Sequence, residues 1–153
     1  MKISGRAFLW LSVLGFQAIT GAWASPMVAP TFEEALSKSE YVVVAEYLKY
    51  EKKGPVDYFY GPFAIYRVVK VLKGKPLIGK IRVQYYFDDG SACIVPEGFK
   101  FNDTMMPAKG SQWILFLASK DSREKFWSTY RGDYGRWIAT EDNLKKVITS
   151  TVH

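Results

Sequence analysis

Reactive side chains are scarce in this 153-residue chain. It has one cysteine, Cys93, and one histidine, His153, which is also the last residue. A multi-disulfide scaffold needs paired cysteines and a Cys/His zinc centre needs several such ligands, so the counts exclude both. A nucleophile–histidine pair would have to draw on a terminal residue, where a base is poorly held. Beyond the first two dozen residues no apolar stretch reaches the roughly 20 residues that a membrane helix takes. The βαβ rhythm of a doubly wound parallel sheet is missing, as are repeats and low-complexity tracts. Basic residues exceed acidic ones by 21 to 15 but are scattered, with Lys52-Lys53 and Lys145-Lys146 the sole adjacent pairs. Nucleic-acid binding concentrates charge on a stripe or tail, so a nucleic-acid partner is not expected. No cofactor and no metal are expected either.

What the chain does have is apolar and aromatic bulk. Hydrophobic residues make up 48% and aromatics 16%, enough for one globular domain and too much for disorder. The first segment reads as an export leader. Lys2 and Arg6 open it, residues 7–20 (AFLWLSVLGFQAIT) are apolar, and Ala22 and Ala24 form an A-x-A site. Cleavage is expected between Ala24 and Ser25, giving a signal peptide over residues 1–24 and a single domain over residues 25–153. The remaining 129 residues lose Lys2 and Arg6, which lowers the net charge from +6 to +4. A periplasmic or secreted protein without a stable membrane span follows. In that oxidising space Cys93, followed by Ile94 and Val95, reads as a small buried apolar side chain, with an intermolecular disulfide as the other use.

Along the domain, Thr31-Phe32-Glu33-Glu34 fits a capping box, with Thr31 as N-cap and Glu34 reaching back, and predicts a short helix to about Ser39. The period then changes to two. Residues 41–50 (YVVVAEYLKY), 63–73 (FAIYRVVKVLK) and 80–87 (KIRVQYYF) read as strands. In the third, Ile81, Val83, Tyr85 and Phe87 share one face, while Lys80, Arg82, Gln84 and Tyr86 share a wetter one. Residues 113–119 (WILFLAS) are apolar on both faces and read as a central, doubly covered strand. Shorter strands are expected at 126–130 and 135–140, joined by a hairpin turn at Arg131-Gly132-Asp133-Tyr134. Thr140 caps a final helix over about residues 141–149, with Leu144, Val147 and Ile148 inward. A further short strand is expected at 92–95. The fold class is mainly β: a small closed or partly open antiparallel barrel of five or six strands, with a short helix near each end.

SEYVVVAEYLK, IYRVVKVLKGK, Gly79-Lys80-Ile81-Arg82-Val83 and Lys109-Gly110-Ser111-Gln112-Trp113-Ile114-Leu115-Phe116-Leu117 follow one another in an order that resembles an OB-like barrel. The pattern is similar to the barrel of the tissue-inhibitor-of-metalloproteinases and netrin-module group, over about residues 41–139. The resemblance implies the fold alone. Inhibitors of that group bind metal through an N-terminal cysteine; here Ser25-Pro26 stands in its place and the disulfide framework is missing, so no inhibitory residue carries over.

Candidate binding residues come from aromatics and arginines on the wetter face and the long loops: Tyr58, Tyr60, Arg67, Arg82 and Tyr86. Aromatic-plus-arginine is the make-up of interface cores, and OB barrels bind through such a face. The expectation is an exported, non-enzymatic binding domain for a protein or an envelope polysaccharide. Two alternatives stay open. One is a small hydrolase using the loop carboxylates Asp88, Asp89 and Glu97. The other is a structural subunit pairing through a barrel edge or Cys93.

Overall fold

The computed structural model describes residues 29–52, 54, 56, 58–59, 61–87, 95–121, 123 and 125–151. The leader with Ala24 and Ser25, and also Tyr60, Asp88, Asp89, Cys93 and His153, lie outside the described residues. So does most of the strand expected at 92–95; its last residue, Val95, is exposed and outside any strand.

Alternating apolar and β-branched residues produce β1 (Tyr41–Glu51), β2 (Phe63–Lys73), β3 (Lys80–Gln84), β4 (Gln112–Asp121), β5 (Phe126–Thr129) and β6 (Arg136–Ile138). Two helices flank them, α1 (Phe32–Lys38) and α2 (Glu141–Thr151). Five strands close in the order β1-β2-β3-β5-β4 and back to β1, and β6 adds to β4. The protein is a mainly β, closed five-stranded barrel compatible with an OB-like fold.

One expectation is corrected: the barrel is mixed, since β3 and β5 run parallel, paired at Val83–Trp127 and Gln84–Ser128. Every other pairing is antiparallel. The reason is parity. Strand direction cannot alternate all the way round a closed ring of five, so one neighbouring pair has to run the same way.

β4 explains why its sequence is apolar on both faces. Leu115 and Leu117 point into the barrel with Val43, Ala45, Tyr47, Ala64, Tyr66, Ile81, Val83, Tyr85 and Trp127. Ile114 and Phe116 point the other way, into a second core with Val42, Phe32 and Ala35 of α1, and Val147 of α2. Phe32, Phe116 and Trp137 form a three-ring cluster there, with centroids 5.3 to 5.9 Å apart. Burying a Phe or Ile side chain is worth roughly 1.5–3 kcal/mol, so the helices cover a layer the barrel cannot leave wet. The turned-in face of α2 is narrower than its sequence suggested: Val147 is buried and Leu144 half-buried, but Ile148 is exposed.

Local chemistry sets the helix ends. The Thr31 hydroxyl accepts from Glu34 N at 3.1 Å, as the capping box requires. Glu34 does not reach back; its carboxylate accepts instead from the Tyr130 hydroxyl at 2.5 Å, tying α1 to the barrel. Lys73 Nζ donates to the Leu36 and Ser39 carbonyls at 2.6 and 2.8 Å, meeting the negative end of α1. Thr140 caps α2 through Asn143 N at 3.3 Å.

Two further readings change. Residues 131–134 do not make a hairpin, because β5 and β6 do not pair with each other. Both pair with β4, as two halves of one interrupted strand. Tyr130 N still donates to Phe116 O at 2.8 Å; the chain then leaves the ladder through Arg131 (φ 44) and Gly132 (φ 57) and rejoins at Arg136 opposite Leu115. The third strand also ends at Gln84 rather than residue 87, and Gln84 is buried rather than wet. Its amide donates to the Gly61 carbonyl, which fixes the close approach of the β1–β2 loop. A Cβ on Gly61 would lie 1.7 Å from Tyr85 O, so no larger residue fits there.

Candidate functional site

The parallel seam is short. β3 and β5 share two residue pairs, at the later part of β3. Below them the strands part, and the gap forms a groove of about 430 Å³ lined by Leu77, Ile78, Lys80, Ile81, Arg82, Lys120, Lys125 and Trp127. β3 supplies Lys80 and Arg82, the end of β4 supplies Lys120, and the turn before β5 supplies Lys125, held at φ 56.

Four cations thus line one groove. Among the described residues its acidic neighbours are Asp121, whose Oδ1 accepts from Arg123 N at 2.8 Å, and Glu51, whose Oε2 lies 3.4 Å from Arg82 Nε. Arg82 also stacks on Phe63, with Cζ 3.8 Å from the ring centroid, and Phe63 meets Phe126 at 5.1 Å. Lys120 Nζ lies 5.5 Å from the buried Trp127 ring. Ile78, 89% exposed, is the most exposed large apolar side chain described. The groove therefore pairs positive charge with bare aliphatic surface.

A second aromatic assembly sits where the β1–β2 and β3–β4 loops meet. Tyr58 packs edge-on against Phe99 at 5.3 Å, Phe99 against Phe87 at 5.5 Å, Phe87 against Phe101 at 5.7 Å, and Phe101 against Tyr50 at 5.7 Å. Lys52 lies 4.9 Å above Phe101, and the Tyr50 hydroxyl donates to Asp103 at 2.5 Å. That bond holds the Tyr50 phenol above its ordinary pKa. These rings bind the two loops to each other, the same job edge-to-face pairs do in a core.

The five residues read from sequence are thus divided. Arg67 and Arg82 do share the outer face of β2 and β3, since Arg67 lies opposite Lys80 and Arg82 is two residues along. Arg67 is held by Glu46 at 2.5 Å. Tyr58 belongs to the loop assembly. Tyr86 is half-buried, and its carbonyl oxygen accepts from Arg136 at 2.8 Å. Tyr60 lies outside the described residues. Sequence reading missed Lys80, Lys120, Lys125 and Ile78. The available signal was the lysines bracketing the turn before β5, but only the parallel seam brings that turn beside β3.

Among the carboxylates considered for hydrolysis, Glu97 is exposed in a turn, and Asp88 and Asp89 lie outside the described residues. Among the described residues no group of three His, Cys, Asp or Glu side chains gathers as a metal-ion site. Among those residues too, no helix is long and apolar enough to cross a membrane. No known family model matches this chain, and no curated protein matches it.

Proposed function

We propose that this chain is an exported, non-enzymatic binding domain, and that it takes an acidic segment of a partner protein in the groove beside the parallel seam. The observation that carries this reading is the convergence of Lys80, Arg82, Lys120 and Lys125 around a bare aliphatic surface. Complementary charge steers and orients an encounter, while desolvated apolar contact holds it. The envelope polysaccharide is the weaker partner. Sugars stack on open rings, and Trp127 is buried while Phe63 is covered by Arg82. Export rests on the A-x-A leader, and the likeness to the tissue-inhibitor-of-metalloproteinases and netrin-module group rests on strand order alone.

The test uses the cleaved protein and a library of fluorescent acidic peptides, each carrying one aliphatic residue. Binding is expected to weaken steeply with salt, because the contacts are surface charges. The double variant Lys120→Glu, Lys125→Glu should weaken it at least tenfold with the fold intact. Binding that ignores both salt and charge reversal would rule out the groove as the site.

A further inference from the structure

Arg136 opens β6 with its side chain turned into the barrel, where it is 1% exposed. Its Nη2 donates to Tyr86 O at 2.8 Å and to Asp133 Oδ1 at 2.5 Å. Its Cζ lies 3.8 Å from the Tyr85 ring centroid. The two hydrogen bonds use a single nitrogen. Among the described residues Nε and Nη1 are buried with no hydrogen-bond partner, and so is the hydroxyl of Tyr66, whose ring is fully buried in the same interior.

Hydrogen-bond accounting leaves this arrangement incomplete. Among the described residues the carboxylate paired with Arg136 is that of Asp133, whose side chain is 59% exposed and shares its charge with water. The neighbouring phenols add no negative charge. Burial raises the pKa of Tyr66 and Tyr85 in spite of the nearby guanidinium, which pulls the other way. A buried cation is stable only when paired and hydrogen-bonded. An orphaned buried donor gives up its hydrogen bond to water and recovers none in the fold.

We propose that the barrel interior binds a small monovalent anion, chloride being the simplest, against the Arg136 guanidinium and the Tyr66 hydroxyl. Guanidinium N–H groups only donate, and the hydroxyl can turn its proton inward. Such a set selects an occupant that accepts hydrogen bonds and brings negative charge. A water would accept a bond but bring no negative charge to the guanidinium.

The measurement is thermal unfolding of the full chain at constant ionic strength, with chloride replacing gluconate, an anion too large for a barrel core. A saturable rise in Tm with chloride is expected, following the linkage of ligand to the folded state. Tyr66→Phe keeps the ring and removes the hydroxyl; it should weaken the apparent chloride affinity about tenfold, the worth of one hydrogen bond to a charged group. Crystals grown in bromide should show an anomalous peak beside Arg136. The same Tm in chloride and gluconate, or a water in that position with no bromide peak, overturns the proposal. If Tyr66→Phe fails to fold, the two measurements on the unaltered protein decide it alone.

Discussion

Single residues carry unequal weight in this barrel. Phe116 has no solvent exposure and packs against both Phe32 and Trp137. Phe116→Ala should cost about 3–5 kcal/mol in denaturant unfolding, since the cavity lies between a strand and two helices that cannot collapse onto it independently. Gly61 is the opposite case, a site with no room. Gly61→Ala would drive a methyl onto a backbone carbonyl, which cannot rotate away, and should destabilise the fold by about 1–3 kcal/mol. Phe116 lies in a strand whose sequence reads as covered on both faces, and the two cores that β4 separates bear that out. Gly61 was not conspicuous, because its close approach is set by Tyr85, far along the chain. The caps were legible because they are local: Thr31 and Thr140 bond atoms three residues on. Glu34 was misread because its true partner, Tyr130, is 96 residues away.

At the scale of elements, periodicity was enough to find β1, β2 and β4 almost to the residue. It failed where an element depends on its neighbour. β3 stops at Gln84 because β2 begins at Phe63, opposite it, and no ladder partner from β2 remains beyond. β5 and β6 looked like a hairpin because Arg-Gly-Asp-Tyr has turn chemistry, yet β4 was already extended enough to pair with both. The candidate groove was illegible for the same reason, being made where two strands distant in sequence stop pairing. α2 is an element with a clear test. Deleting residues 141–151 uncovers the outer sides of Ile114, Phe116 and Val42. The truncated chain is expected to keep strand signal in circular dichroism but to bind a hydrophobic dye and lose cooperative melting. A sharp, unaltered melt would show that α2 is not part of the fold's stability.

The whole molecule has a built-in alkaline limit. Burial, reinforced by the charges of Tyr50, Tyr85 and Asp103, lifts the Tyr47 phenol to about 12, and burial also raises Tyr66 and Tyr85. A phenol whose folded pKa exceeds its unfolded value near 10 contributes stability that is fully present below pH 10. That contribution disappears as pH rises through about 12, because the unfolded chain ionises first. Spectroscopic titration should find fewer phenols ionising near pH 10 in the folded protein than in denaturant, and Tm should fall across the same window. If all ten tyrosines titrate together near 10, the interior is wetter than described.

The ring closes through β1 and β4, whose registered pairs run from Tyr41–Leu117 to Glu46–Gln112. Nearly seventy residues of intervening chain must be in place before that last side of the cylinder can form. A polypeptide crossing a translocation pore amino end first would therefore expose the bare margin of its earliest strand for most of the passage. Pairing so remote in sequence is slow to assemble, and under the proposed export that interval is the one in which a chaperone would be needed.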